Sequence, residues 1–220
     1  MALLLAIETT TKNCSVALFK NNVLIDFYEE ISDKYMHAER LTLFIINLLN
    51  NNSVKFNDIE AVIVSKGPGS YTGLRIGMGT AKGICYALNL PLISVPTLKA
   101  MAYDMAKDKE YDFYCPMINS RSSEFFSSLY DMENNEIIST KSEEMNISNY
   151  EIYNDKKVLF FGQNIDVLKD TINQKNIFFK CNVFPSAKDL GEIGYVKYKE
   201  EMYEDLAYFE PFYLKDFVLG

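Results

Sequence analysis

The apolar and polar positions of this chain alternate between two rhythms. LLLAI near the start, followed at once by polar residues, reads as a buried strand, and several later runs repeat that form. Period and punctuation together predict strands at about 2–8, 14–20 and 22–30, with Asn21-Asn22 as a hairpin turn. A helix is predicted from Lys34 to Leu49, ended by the polar run Asn50-Asn51-Asn52-Ser53. Strand 59–65, a glycine-rich turn, helix 71–89, strand 91–95 and helix 97–107 complete a first series. The second series has strands near 112–119, 123–131, 136–140 and 157–161, helix 163–172, strand 176–182 and helix 186–202.

The two series open alike. AIETTTKNCSVALFKNNVLI runs strand, polar turn, strand, Asn-Asn, strand; MINSRSSEFFSSLYDMENNEII follows the same order, again with Asn-Asn at its second turn. Three meandering strands followed by alternating helices and strands, twice over, predict an α/β protein of two related lobes. The charged KDKE stretch marks the expected boundary, giving lobes 1–106 and 107–206. The segment 207–220, with AYFEPFYLKDF, is expected to rejoin the first lobe or lie along its surface.

Composition narrows the function. The 220 residues are 48% apolar and 14% aromatic, enough to fill a core, and the formal net charge is -8. That balance argues against a broad, sequence-independent grip on nucleic acid, which requires a basic face. Cys14, Cys85, Cys115 and Cys181 are scattered without a C-x-x-C pair, as expected of free thiols in a reducing compartment. With His37 the only histidine, a zinc site or a Ser-His-Asp triad has little to draw on. His37 itself is expected at the surface, near the start of a helix. The N-terminal apolar run is too short for a membrane span and has no basic residues before it, so the chain is expected in the cytoplasm.

GPGSYTGLRIGMGTAKG, residues 67–83, holds six of the ten glycines. Five residues separate Gly67 from Gly73 and Leu74 stands where a P-loop places lysine, while the Rossmann spacing fails after Gly69. A tight strand-to-helix turn explains Gly67, Pro68 and Gly69, with Ser70 or Thr72 capping the helix. An anion at the free N–H groups of that first turn, near Lys66, is the weaker alternative. Within the helix, Gly73, Gly77, Gly79 and Gly83 together oppose helix formation by roughly 3–4 kcal/mol. Gly73 and Gly77 form one flat ridge; Gly79, Gly83 and Ala87 form another, about 120° away. One ridge would let the helix lie close on its own sheet. The second would admit another helix, from this chain or from a partner. Arg75, in the first turns, opposes the helix dipole, which hints at an ion pair. Arg121 and Glu124 border the second hairpin and could pair with each other or with a partner.

These segments carry a resemblance. LLAIETTTKNCSVALF, MHAERL, SKGPGSYTGLRIGMGTAKGICYALNLPLISVPTL, INSRSSEFF and the terminal EPFYLK, in that order along nearly the whole chain, resemble the TsaB (YeaZ) family. The resemblance implies two RNase H-like lobes of the actin, sugar-kinase and Hsp70 type. It implies a non-catalytic scaffold for synthesis of threonylcarbamoyladenosine at position 37 of transfer RNAs that read codons beginning with A. The implied partners are TsaD in a heterodimer and TsaE in a ternary complex, with a homodimer when the chain is alone and transfer RNA reached through the complex. No cofactor is implied. An ATP-dependent, sugar-kinase-like phosphotransferase is the rival reading, and an M22 glycoprotease-like peptidase a third.

The resemblance also assigns residues. Helices 35–49 and 71–89 would form the partner face, through His37, Arg40, Leu41, Gly73, Leu74, Arg75, Ile76, Gly77 and Met78. Glu8 and Asn119 occupy matching places, each ending the first strand of its repeat; related two-lobed ATPases carry acids at both to hold magnesium through water. Glu8 stands for the family's usual Asp and Asn119 for the Asp of a DAR motif, which weakens nucleotide binding. Glu8, Thr9, Ser15 and Asn119 are therefore the residual nucleotide candidates, with Thr10 and Thr11 beside them. In TsaD, the matching segment leads to two metal-binding histidines; here Thr97 and Met101 stand at or near those positions, and neither replaces imidazole.

Overall fold

The computed structural model describes residues 2–32, 36–121, 124–144, 155–169, 172 and 174–214. The first strands are β1 (Leu3–Glu8), β2 (Asn13–Lys20) and β3 (Val23–Ile31), followed by α1 (His37–Asn51), β4 (Ala61–Ser65), α2 (Tyr71–Leu88) and β5 (Leu92–Val95). After α3 (Thr97–Met105) come β6 (Phe113–Arg121), β7 (Glu124–Asp131), β8 (Glu136–Glu144) and β9 (Val158–Gly162). Helix α4 (Asp166–Lys169), β10 (Ile177–Cys181) and α5 (Gly191–Lys199) complete the order.

Each half builds a five-stranded mixed sheet with the same strand order. The first is β3-β2-β1-β4-β5 and the second β8-β7-β6-β9-β10. In both, three antiparallel strands precede two that run parallel to the first of them. The repeated opening seen in the sequence is thus a repeated topology. Both Asn-Asn turns work alike as well. Asn21 and Asn134 adopt positive φ values of 57° and 63°, a conformation asparagine tolerates better than most residues.

In the first unit, the period of two divides the strands between two faces. Leu5, Ile7, Val16, Leu18, Val62 and Val64 pack with Leu41, Ile45 and Leu48 of α1 and Met78, Ala81 and Cys85 of α2. On the other face, α5 lies close to the sheet because it carries glycines. A Cβ on Gly191 would stand 2.0 Å from the Phe19 ring, and one on Gly194 2.4 Å from Ile63. In the second unit, Tyr114, Ile118, Phe126 and Leu159 pack with Leu98, Met101 and Ala102 of α3. Cys115, Met117, Phe125 and Phe160 face the opposite way, toward Ile165 and Leu168.

The chain divides elsewhere than KDKE suggests. One compact unit is Met1–Thr97 with Pro185–Tyr213; the other takes Leu98–Phe184 and Leu214. The expected split at 106/107 is corrected because the apolar side of α3 belongs to the second core. The charged stretch merely follows the helix as a solvated turn, with Lys109 at φ 49°. The end of the expected second lobe returns to the first sheet: the Ala187 N–H donates to Ser15 Oγ at 2.8 Å, and Lys188 Nζ reaches Glu29 Oε1 at 2.9 Å. Helix 163–172 appears as Asp166–Lys169, with residues 170 and 171 outside those described. The predicted start of α1 at Lys34 likewise falls outside the described residues.

Candidate interaction face

The turn between β1 and β2 organises the glycine-rich segment. Ser70 N–H donates to Thr10 O at 2.7 Å, and Gly69 lies so close that a Cβ would stand 2.5 Å from that same oxygen. Ser70 caps α2 by accepting from Gly73 N–H at 3.2 Å, whereas Thr72 points outward. Gly67, at φ 105°, occupies the left-handed region, and a Cβ there would stand 2.9 Å from Phe212 O. The bond from Gly67 to Pro68 is cis. Phe212 N–H donates to Lys66 O at 2.7 Å, so the C-terminal segment runs directly over the turn. These glycines make room for backbone.

The two ridges of α2 have opposite surroundings. A Cβ on Gly73 would meet Thr9 O at 2.0 Å, and one on Gly77 would meet Thr9 Oγ1 at 2.3 Å. Thr9 Oγ1 in turn donates to Gly73 O at 2.8 Å. A Cβ on Gly79 or Gly83 would meet nothing within 4 Å beyond the helix's own backbone and the adjoining residues. The first ridge is the internal one and the second is open.

This corrects the expected partner residues. Gly73, Leu74, Gly77 and Met78 are buried on the sheet side of α2, and Leu41 and His37 on that of α1. A side chain already enclosed by its own unit offers no area to a partner. His37, expected at the surface, is 1% exposed and its Nε2 hydrogen-bonds Thr11 O at 2.7 Å. Burial lowers its pKa, outweighing the Thr11 carbonyl, which raises it. Arg40 and Ile76 are half-buried; Arg40 Nε lies 3.5 Å from Glu30 Oε2. Arg75 alone of the expected set is fully outward. It stacks 4.2 Å over the Tyr71 ring, and a hydrogen bond with Tyr213 raises its pKa. The cation near the helix start is accommodated by aromatic and phenolic partners instead of an acid.

The outward sides of the two helices present residues the sequence reading passed over. On α1, Leu43 is 51% and Ile46 39% exposed; on α2, Tyr86 is 83% exposed, next to open Gly83 and Ala87. The Gly79–Gly83–Ala87 spacing was the available signal for α2. For α1, Leu43 and Ile46 are one helical turn apart, off the stripe of Leu41, Ile45 and Leu48.

The nucleotide candidates are differently placed. Glu8 is fully buried and its Oε1 accepts the Thr10 N–H at 2.5 Å. Burial pushes its carboxyl above the usual range, against the opposing pull of the Ser65 and Thr10 hydroxyls and the Thr10 and Thr9 N–H groups. Thr9 and Ser15 hydroxyls are engaged by Gly73 and Ala187, and Thr11 Oγ1 accepts from Asn13 N–H at 3.3 Å. Asn119 lies in the other unit, half-buried opposite Phe125, and β6 continues two residues beyond it instead of ending there. Thr97 bonds Ser65 through paired hydroxyls at 2.7 Å, and Met101 is core. Arg121 and Glu124 are register partners, with the Arg121 side chain outside those described. Among the described residues, no group of three or more His, Cys, Asp or Glu side chains could hold a metal ion. No described helix is long and apolar enough to cross a membrane.

Two mixed sheets of one strand order, with α1 and α2 packed on one face of the first, define an α/β protein of two related lobes. Residues 31–219 match the family described as TsaD, tRNA N6-adenosine threonylcarbamoyltransferase. The chain is 33% identical over 134 residues to the tRNA threonylcarbamoyladenosine biosynthesis protein TsaB of Escherichia coli, covering 61% of this chain and 57% of that protein. It is 27% identical over 203 residues to the TsaB of Buchnera aphidicola subsp. Acyrthosiphon pisum, covering 90% and 91%. The match thus spans little more than half of the Escherichia coli relative. A crystal structure of a Pseudomonas aeruginosa protein with similarity to peptidase YEAZ superposes with a TM-score of 0.82 at 21% identity, over 98% of this chain and 100% of that one. The chain belongs to this family, in its TsaB (YeaZ) branch.

Proposed function

We propose that this chain is a non-catalytic subunit that supports threonylcarbamoyl transfer to adenosine 37 of transfer RNAs reading ANN codons, in the cytoplasm, by binding a TsaD-type enzyme. The observation that carries the reading is the open Gly79–Gly83 ridge and exposed Tyr86 on α2, together with exposed Leu43 and Ile46 on the neighbouring α1. Two helices offered side by side, with small residues along one of them, suit a four-helix contact at short interaxial distance. The same surface serves a homodimer when the chain is alone, because a surface that accepts a related helix pair can accept its own copy. TsaE joins the pair, and transfer RNA is held by the complex, in keeping with the net charge of -8.

The rival, an ATP-dependent phosphotransferase, is disfavoured because the hydroxyls of Thr9 and Ser15, two of its candidate residues, already have internal partners. Reconstitution tests the proposal. The chain is combined with TsaD, TsaE, threonylcarbamoyl-AMP and transfer RNA, and modification is followed with and without it. Equal modification in its absence refutes the scaffold role. Gly83→Arg should weaken TsaD binding by about 30-fold or more, the scale of an interface hot spot of 2 kcal/mol. It should leave the fold intact, since a side chain at Gly83 starts into open space, with nothing packed within 4 Å of its Cβ.

A further inference from the structure

Three consecutive residues of the β1–β2 turn hold both helices of the proposed face. The carbonyl and hydroxyl of Thr9 seat Gly73 and Gly77, and Thr10 O receives the Ser70 N–H at the start of α2. Thr11 O receives the ring of His37, the first residue of α1. The imidazole is therefore the link by which the turn that seats α2 also anchors the beginning of α1. We infer that His37 is a positioning residue for the partner face: in its neutral form it holds α1 at its place beside α2, and its protonation weakens binding of the TsaD-type partner.

The physical reason lies in where the charge would sit. An imidazolium at this position is almost wholly removed from water, which disfavours it. It also stands at the positive end of a 15-residue helix, where a cation is unfavourable. The Thr11 carbonyl favours the cation, but one accepted bond does not offset burial. Charged and titratable groups occupy each neighbouring element. They include Glu8 and Lys12 flanking the turn, Cys14 on β2, Asp26, Tyr28, Glu29 and Glu30 on β3, Glu39 and Arg40 on α1, and Tyr71, Arg75 and Lys82 on α2. Glu30 is paired with Arg40, and Arg75 with Tyr71 and Tyr213. Relief of the cost of protonation comes from moving the first turn of α1 outward, toward water, which changes the spacing of the two helices a partner must match.

The inference rests on the proposed function, and its test separates the two. His37 is the only histidine, so its ring proton gives one assignable NMR signal in the full chain. Its titration is followed with and without saturating TsaD, and TsaD affinity is measured by calorimetry at pH 7.5 and 5.5. Wild type should bind about 2-fold or more weakly at pH 5.5, and the His37 titration should move to lower pH on binding by the reciprocal amount. His37→Gln and His37→Asn, which keep a neutral donor, should lose that pH dependence, while Glu30→Gln should keep it. An unmoved His37 titration, or equal wild-type affinity at both pH values, overturns this inference alone. So does a Gln or Asn variant that retains the wild-type pH dependence. Absence of any TsaD binding at pH 7.5 refutes the proposed function and this inference with it.

Discussion

Alanine at the two glycine ridges of α2 should have opposite effects within one helix. At Gly79 and Gly83 the added methyl meets nothing within 4 Å, so each substitution should yield only the gain in helix propensity, about 0.5–1 kcal/mol. The double variant should be more stable by about 1–2 kcal/mol. For a chain of this size, that raises Tm by about 2–8 °C, at roughly 2–4 °C per kcal/mol. At Gly73 the same propensity gain is set against a methyl 2.0 Å from a backbone carbonyl, which cannot rotate aside. Overpacking of that kind costs about 1–3 kcal/mol, and so close an approach places the cost at the upper end, for a net loss near 2 kcal/mol. Gly77→Ala displaces the Thr9 hydroxyl and forfeits its 2.8 Å bond to Gly73 O, worth about 1 kcal/mol on top of the repacking. The assay is calorimetric unfolding at a concentration where light scattering reports monomer, paired with TsaD binding on the same samples. Stabilised Gly79→Ala/Gly83→Ala protein that binds TsaD less well would separate fold from face. A rise in Tm for Gly73→Ala, or a fall for the outer pair, would refute the assignment of the ridges.

Further expectations follow from the buried and paired groups. Burial raises the Glu8 pKa above its ordinary value, so its contribution to stability is present below about pH 4.5 and is lost as pH rises through that elevated pKa. Glu8→Gln should accordingly raise Tm at pH 7 and show a diminishing gain as pH falls toward 4, measured by thermal melts across that range. Glu29 behaves in the opposite sense: burial opposes its charge, but the Ser186 and Lys188 bonds prevail and lower its pKa. Its contribution is present above about pH 4.5 and is lost on acidification. Ser186→Ala, which removes the 2.7 Å bond to Glu29, should cost about 1 kcal/mol and make the returning segment 185–213 more susceptible to limited proteolysis. Burial pushes the Cys14 and Cys85 thiols up to about 12. Iodoacetamide at pH 8 should therefore label half-buried Cys181 first and reach those two only after unfolding, as read by mass spectrometry.

The sheets were legible in the sequence because side-chain periodicity is a local property of the chain. LLLAI and AVIVS became β1 and β4, and the repeated strand-turn-strand opening became two sheets of one strand order. Asn-Asn marked both turns for the same reason, since a positive φ is chosen by the residue that occupies it. The spacing of the glycines also showed, without coordinates, that α2 must carry two flat ridges.

What each ridge faces was a different matter. Gly73 is internal because Thr9 lies against it, 64 residues earlier in the chain. His37 is buried because Thr11, 26 residues away, offers it a carbonyl. The Ser15 hydroxyl accepts from a backbone N–H 172 residues distant, and the same long return moves Pro185–Tyr213 into the first unit. Local pattern determined the elements, their order and their duplication. The tertiary structure alone decided which small residues are covered and which stand open, because burial depends on neighbours the chain brings together only by folding.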